Sequence, residues 1–141
     1  MASTAASVAR RAASILVIDD EEIMREILEA LLTREGHTVR LAADAAEGLE
    51  LARTVSFDAA IVDIMMPGMD GYETIRRIRQ NPRRRLMPIL ALTAKAMKGD
   101  REKCLEAGAS DYIAKPVNTE ELLALLRIWL FGKQRSGRKY S

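Results

Sequence analysis

The chain has 141 residues, 48% of them hydrophobic and 30% charged, a composition typical of one globular domain rather than of a disordered chain. Its single cysteine and single histidine exclude an intramolecular disulfide, a cysteine-rich zinc site and a metal site built on paired histidines. The net charge of +2 comes from the ends of the chain, because residues 14–131 hold all 20 acids but only 16 basic residues and so carry a net charge of −4. This acidic balance does not indicate a nucleic-acid-binding core.

The two ends are predicted to lie outside the folded domain, which we place at residues 14–131. Residues 1–13 are rich in alanine, serine and arginine without the apolar run of a secretory signal, and they predict a flexible extension. Residues 132–141 predict a flexible basic tail. No apolar run approaches the length of a membrane span.

Between the ends, short apolar runs alternate with segments of helical period. The predicted strands are Ile15–Ile18, Thr38–Ala42, Ala59–Ile64, Ile89–Thr93 and Asp111–Ala114. The predicted helices are Glu21–Arg34, Asp44–Thr54, Gly71–Arg79, Ala96–Ala107 and Thr119–Phe131. Gly36 and Gly108 stand where a left-handed residue ends a helix. This alternation predicts an α/β fold with a parallel sheet, right-handed crossovers and helices on both faces.

Polar side chains follow four of the predicted strands. They are the run Asp19, Asp20, Glu21 and Glu22 after the first strand, Asp63 near the end of the third, Thr93 at the end of the fourth, and Lys115, directly before Pro116, after the fifth. Because the carboxyl ends of parallel strands meet at one edge of a sheet, we expect these side chains to converge.

The expected cluster has a definite chemistry. Crowded carboxylates need a cation or a proton, and Mg²⁺ is typically held by one or two carboxylates together with waters and a phosphate. Lys115 supplies a mobile charge suited to phosphate, and Thr93 supplies a hydroxyl donor. The set suggests attack by an aspartate on phosphorus, which gives an aspartyl phosphate.

Each residue also has a simpler explanation. The acids after the first strand can cap the first helix, and Asp63 can be a turn residue before Pro67 and Gly68. Thr93 can be an ordinary strand residue and Lys115 a solvated loop lysine. The four together, in order at four strand ends, favour a site.

These residues lie in segments that resemble the receiver domain of two-component response regulators. The segments are Ile15–Glu22, Ile61–Gly71, Ile89–Ala94 and Gly108–Pro116, and the resemblance covers roughly residues 14–131. Residues 91–103 are similar to receivers attached to hybrid sensor kinases. The resemblance implies a flavodoxin-like, doubly wound fold with helices on both faces of a five-stranded parallel sheet of order 2-1-3-4-5.

The resemblance also implies roles for individual residues. Asp63 would accept a phosphoryl group from a histidine kinase or histidine phosphotransfer protein. The ligands of Mg²⁺, or of Mn²⁺, would be Asp19, Asp20, Asp63 and the backbone carbonyl of Met65. The contacts to the phosphoryl group would be Lys115, Thr93 and the Ala94 amide, and the Lys115–Pro116 peptide bond would be cis.

Phosphorylation would act through a two-state switch in which Thr93 moves toward the phosphate and Tyr112 turns inward. The fourth helix, fifth strand and fifth helix would then present a surface to a downstream protein or to a second copy. The domain would phosphorylate and dephosphorylate itself without being a turnover enzyme, and its location would be cytoplasmic, with no membrane partner. The resemblance also implies that Met65 and Lys95, two residues after Asp63 and Thr93, influence hydrolysis of the phosphoryl group. Because a thioether orients water poorly, we predict slow or moderate self-dephosphorylation.

Two other functions remain open at this point. One is a pseudo-receiver that binds proteins without being phosphorylated, against which the complete acid, threonine and lysine set argues. The other is an Mg²⁺-dependent phosphohydrolase of the haloacid-dehalogenase type. This alternative is weakened because such enzymes place an Asp-x-Asp pattern after the first strand, whereas Asp19 and Asp20 are adjacent.

No kinase region or phospho-histidine candidate is predicted, since His37 follows the helix-ending Gly36. No effector fits after Phe131, so we expect either a stand-alone receiver or one taken from a larger protein.

Two surface features carry further expectations. The last helix has an apolar stripe that fits packing on the sheet: Leu122, Leu125, Leu126, Trp129 and Leu130. Ile128 and Phe131 fall on its other side and fit either a partner surface or packing on a neighbouring loop. Residues 83–85, three consecutive arginines, are predicted to form a solvated loop.

Overall fold

Five parallel strands form one sheet at the centre of the computed structural model, which describes residues 12–68, 70–94 and 98–132. The strands are β1 (Ser14–Ile18), β2 (Thr38–Ala42), β3 (Ala59–Asp63), β4 (Ile89–Thr93) and β5 (Asp111–Ala114). The helices are α1 (Glu22–Arg34), α2 (Ala45–Thr54), α3 (Gly71–Gln80), α4 (Lys98–Ala107) and α5 (Thr119–Arg127), with a 3₁₀ turn at Pro82–Arg84 and a π-helical turn at Ile128–Gly132. The order β2-β1-β3-β4-β5 confirms the expected topology.

The sheet separates two hydrophobic cores because neighbouring strand residues point to opposite faces. Leu16 and Ile18 belong to the core that holds Ile75 and Ile78 of α3. Ile15 and Val17 belong to the other core, which holds buried leucines of α1 and α5. Every residue of β3 and β4 is buried, as expected for central strands covered on both sides.

Within the residues that the structure describes, three helices begin at a side chain that accepts a backbone N–H of the first turn. Asp44 accepts from the Glu47 amide at 2.8 Å, Asp70 from the Glu73 amide at 2.8 Å, and Asn118 from the Glu121 amide at 2.9 Å. Asp44, predicted as the first helical residue, is therefore the cap of α2. At the carboxyl ends, Gly36 and Gly108 have φ of 96° and 117°, which confirms that glycine supplies the left-handed residue there.

The amino-terminal end of the fold starts earlier than predicted. Ala13, assigned by sequence to the flexible extension, is buried. Its amide donates to Nδ1 of His37 at 3.0 Å, and its carbonyl accepts from the Thr38 amide at 2.9 Å. Ala13 thus extends the pairing of β1 with β2, while residues 1–11 and 133–141 lie outside the described residues.

The carboxyl-terminal helix ends earlier than predicted, at Arg127, and continues only as the π-helical turn. Its apolar stripe packs against the sheet as predicted: Leu122 and Leu126 are buried, and Leu125, Trp129 and Leu130 pack around them. Ile128 is 58% exposed. No helix within the described ranges is long and apolar enough to cross a membrane.

The prediction of a solvated loop at residues 83–85 is wrong for Arg84, which is only 6% exposed. Its Nε donates to the Ala52 carbonyl at 2.8 Å and its Nη2 to the Val55 carbonyl at 2.7 Å. These two carbonyls lie at the end of α2, where helices leave such acceptors without a partner of their own. Arg84 therefore ties α2 to the segment before β4, whereas Arg83 and Arg85 are exposed as predicted.

Candidate functional site

Three aspartates meet at the carboxyl edge of the sheet. Asp63 is the last residue of β3, and Asp19 and Asp20 directly follow β1, its hydrogen-bonded neighbour. One oxygen from each of these carboxylates lies within 4.8 Å of the others. Asp19 and Asp63 are buried and Asp20 is exposed, so the cluster opens toward solvent on the Asp20 side.

Lys115 contacts two of these aspartates and one further carboxylate. Its Nζ lies 3.3 Å from Oδ2 of Asp63, 3.6 Å from Oδ2 of Asp19 and 2.8 Å from Oε1 of Glu21. Burial alone would lower the pKa of Lys115, but the hydrogen bond to Glu21 and the charges of Asp19 and Asp63 raise it above the ordinary value. Lys115 is therefore protonated at neutral pH and supplies a positive charge in the site.

Asp19 is buried, and its charge is only partly compensated by Lys115, whose Nζ lies 3.6 Å from its Oδ2. Its Oδ1 accepts the Glu21 amide at 2.9 Å, but its buried Oδ2 has no hydrogen-bond partner among the described residues. The pKa of Asp19 is raised to about 6. Burial and the charge of Asp63 raise it, and the hydrogen bond from the Glu21 amide and the charge of Lys115 offset part of the rise. Partial loss of solvation and the charge of Asp63 also raise the pKa of the neighbouring Asp20, although this residue is largely exposed. An unpartnered buried oxygen within a group of three carboxylates fits a divalent cation with oxygen ligands.

Asp63 is positioned by the backbone around it. The Met65 amide donates to its Oδ1 at 3.0 Å, which leaves Oδ2 directed toward Lys115. The Gly71 amide donates to the Ile64 carbonyl at 3.0 Å and thereby brings the start of α3 against the end of β3. Gly68, in the turn between them, has a φ of 83°, a conformation that side chains rarely adopt.

The remaining predicted site residues lie around this centre at different depths. Thr93 is buried at the end of β4, and its carbonyl accepts the Lys115 amide at 2.7 Å, which ties β4 to the segment that carries the lysine. Ala94 and Met65 are exposed, while Tyr112 is half-buried and packs against the core beneath α3 and α4. The Lys115–Pro116 peptide bond is cis. Lys95 lies outside the described residues.

The sequence did not single out Glu21 or Gly71 for a role. The family resemblance assigned Asp19 and Asp20 to the metal site, but the contact of Glu21 with Lys115 depends on the turn between β1 and α1. A glycine at the first position of α3 was visible in the sequence, but its close approach to the Asp63 backbone depends on tertiary packing.

Comparison with known proteins identifies the family. The profile of the response regulator receiver domain matches residues 15–127. The chain belongs to the response regulator receiver domain family. It is 42% identical over 113 residues to the transcriptional regulatory protein TcrA of Mycobacterium tuberculosis, covering 80% of this chain and 44% of that protein. It is 44% identical over 116 residues to the response regulator MprA of Mycobacterium ulcerans, covering 82% of this chain and 49% of that protein.

Solved structures of receiver domains have the same fold. The chemotaxis protein CheY4 of Vibrio cholerae superposes with a TM-score of 0.81 at 33% identity, covering 84% of this chain and 98% of that one. The receiver domain of the sensor histidine kinase PA1611 of Pseudomonas aeruginosa, solved with magnesium in its active-site cleft, gives a TM-score of 0.78 at 39% identity, with coverage of 84% and 98%. This receiver domain spans about half the length of the curated relatives it matches, and nearly all of these solved receiver domains.

Proposed function

We propose that this receiver domain takes a phosphoryl group onto Asp63 from a histidine kinase or a histidine phosphotransfer protein. The observation that carries the proposal is the placement of Asp63, a buried carboxylate with Lys115 at 3.3 Å and with Asp19 and Asp20 in the same cluster. With this function, the protein would act in the cytoplasm.

The transfer is a displacement at phosphorus. A carboxylate oxygen of Asp63 forms the new bond to phosphorus as the bond from phosphorus to the donor's imidazole nitrogen breaks, and the electron pair of that bond stays on the imidazole. Because the transition state carries its charge on the phosphoryl oxygens, positive groups placed around them accelerate the step. Lys115, already 3.3 Å from Asp63 Oδ2, is such a group.

Asp19, Asp20 and Asp63, together with the backbone carbonyl of Met65, would hold a divalent cation, Mg²⁺ or Mn²⁺. When bound, that cation offsets negative charge on the phosphoryl oxygens and on the crowded carboxylates. The buried Oδ2 of Asp19 supports this assignment, since it accepts no hydrogen bond from the described residues and has Lys115 only at 3.6 Å, which leaves it able to bind a cation. The magnesium in the cleft of the PA1611 receiver domain supports it as well.

The output would be a shift between two conformations. A phosphoryl group on Asp63 would draw the Thr93 hydroxyl and the Ala94 amide toward it, and Tyr112 would turn inward behind Thr93. The surface of α4, β5 and α5 would carry the change to a downstream protein or to a second copy of the chain. The position of Tyr112 supports this route, because Tyr112 lies on β5 and β5 pairs with β4, the strand that ends at Thr93.

The domain would carry out its own phosphorylation and dephosphorylation and would not be a turnover enzyme. The phosphohydrolase alternative loses support because the buried Asp63 lies at the end of β3 rather than after β1. The pseudo-receiver alternative loses support because Lys115 and two further aspartates, Asp19 and Asp20, lie close to Asp63.

The test is incubation with acetyl phosphate and Mg²⁺, followed by intact mass measurement. The wild type is expected to gain the mass of one phosphoryl group and Asp63→Asn is expected to gain none. Asp44→Asn is the matched control, because Asn can still cap α2 and Asp44 lies outside the cluster. A wild type that binds Mg²⁺ but gains no mass, or an Asp63→Asn variant that gains as much as the wild type, would overturn the proposal.

A further inference from the structure

The nearest partner of Lys115 is not one of the three clustered aspartates but Glu21. The Nζ–Oε1 distance to Glu21 is 2.8 Å, compared with 3.3 Å to Asp63 and 3.6 Å to Asp19. Asp19 and Asp63 are buried, whereas the side chain of Glu21 is 60% exposed. The lysine is thus shared between two buried carboxylates and a third one that faces solvent.

The backbone of Glu21 is fixed although its side chain is exposed. Its amide donates to Oδ1 of Asp19 at 2.9 Å, and its carbonyl accepts the Arg25 amide at 3.0 Å in the first turn of α1. Glu21 is the N-cap residue of α1, yet its side chain makes no capping hydrogen bond and reaches Lys115 instead. The fold therefore presents this carboxylate to Lys115 from a rigid backbone position, without giving it a structural role in the helix.

We infer that Glu21 is a positioning residue that competes with the phosphoryl group for Lys115, and thereby sets how favourable the phosphorylated state is. This inference rests on the proposed phosphorylation of Asp63. In the resting state Glu21 holds the ammonium group at the exposed rim of the cluster. When the phosphoryl group adds negative charge at Asp63, Lys115 turns to it, and the Glu21 carboxylate is released to water.

The exchange is feasible because the two sides of Lys115 differ in solvent access. Glu21 regains its hydration when released, since it is already largely exposed, so breaking its ion pair costs little. The phosphoryl group would instead stand beside the buried Asp63, where an unpaired charge is far more costly. The ion pair with Glu21 thus holds Lys115 in the resting state and breaks at little cost when the phosphoryl group is present.

Beryllofluoride, which binds an aspartate carboxylate as a phosphoryl mimic, tests the inference at equilibrium. Its bound fraction in saturating Mg²⁺ is measured by ¹⁹F NMR for the wild type, Glu21→Gln, Glu22→Gln and Lys115→Met, and for the double variant of Glu21→Gln with Lys115→Met. Glu22→Gln removes the same charge from the adjacent position, and Glu22 forms no ion pair with Lys115 in the described part of the chain.

Glu21→Gln is expected to bind beryllofluoride about two- to fivefold more tightly than the wild type, the size expected for loss of an exposed ion pair. Glu22→Gln should change the affinity by less than half of that factor. In the Lys115→Met background, Glu21→Gln should have no effect beyond that of Glu22→Gln, because the lysine that transmits it is absent.

Equal effects of Glu21→Gln and Glu22→Gln would show a general charge effect and overturn the inference. An effect of Glu21→Gln that persists without Lys115 would overturn it too. Both outcomes leave the proposed function standing, since the wild type binds the mimic in each. A wild type that binds no beryllofluoride in Mg²⁺ would overturn the proposed function and this inference together.

Discussion

A Cβ atom placed on Gly71 would lie 2.5 Å from the backbone carbonyl oxygen of Asp63. The neighbouring atoms belong to the backbone of Asp63 and Ile64, so they cannot give way as a flexible side chain can. A glycine at the first turn of α3 is therefore what allows this helix to start directly against the residue proposed to carry the phosphoryl group.

We expect Gly71→Ala to lower the free energy of unfolding by about 1–3 kcal/mol, since the added methyl group forces the β3–α3 connection apart. The same displacement should slow phosphorylation of Asp63 by acetyl phosphate. Urea unfolding and intact mass measure the two effects. Gly99→Ala is the control, because a Cβ at Gly99 meets no heavy atom within 4 Å, and it should be neutral or slightly stabilising. Equal losses in the two variants would contradict this explanation.

The buried guanidinium of Arg84 gives a second prediction. Arg84→Met keeps an unbranched aliphatic stem but leaves the Ala52 and Val55 carbonyls without their donor. We therefore expect a loss of about 2 kcal/mol in the free energy of unfolding. Arg85→Met, at the exposed adjacent position, should stay within about 0.5 kcal/mol of the wild type. Chemical unfolding of both variants measures the difference, and similar values for the two would count against a structural role for Arg84.

The arginine run also shows where sequence reasoning stops. The sheet order and the convergence of Asp19, Asp63 and Lys115 followed from strand alternation and the family resemblance, because parallel strands bring their carboxyl ends to one edge. The burial of Arg84 did not follow, since three consecutive arginines have the pattern of a solvated loop. Only tertiary packing places the carbonyl end of α2 beside one of them.

The same limit applies within the acidic run after β1. Asp19, Asp20 and Glu21 are equivalent as a string of acids, but the turn into α1 sends them in different directions. Asp19 is buried with an unpartnered oxygen, Asp20 faces solvent, and Glu21 reaches Lys115. The sequence pattern located the cluster and the family resemblance assigned its aspartates, whereas the contact of Glu21 with Lys115 depends on backbone geometry.

The raised pKa of Asp19, about 6, predicts an unusual pH dependence for the metal-free protein. Between about pH 4 and pH 6 the folded chain holds a proton at Asp19 that the unfolded chain has lost, so stability falls as the pH rises through this range. Asp19→Asn removes the effect and should be more stable than the wild type by about 1–3 kcal/mol at pH 7 and nearly equal to it at pH 4. Thermal unfolding in EDTA across this range measures the difference. A gap that does not change with pH would contradict the assignment to Asp19.

Divalent cations should reverse this penalty. If Asp19, Asp20 and Asp63 hold Mg²⁺, a concentration 100 times the dissociation constant should stabilise the wild type by about 2.7 kcal/mol. Asp63→Asn should lose most of that gain, whereas Asp44→Asn, outside the cluster, should keep it. Thermal unfolding with and without Mg²⁺ provides the measurement. A gain that is the same in all three proteins would place the cation elsewhere.

Met65 gives the last prediction, which concerns the lifetime of the proposed aspartyl phosphate. Its amide donates to Oδ1 of Asp63 at 3.0 Å, and the residue is 54% exposed. A thioether is a weak hydrogen-bond acceptor and orients attacking water poorly, so we expect the phosphorylated wild type to persist for minutes or longer. Met65→Asn offers an amide donor and acceptor at the same place and should shorten the lifetime severalfold, while Met65→Leu should leave it unchanged. Loss of the phosphoryl mass after removal of the donor is the measurement, and a wild-type half-life of only seconds without a phosphatase would refute the prediction.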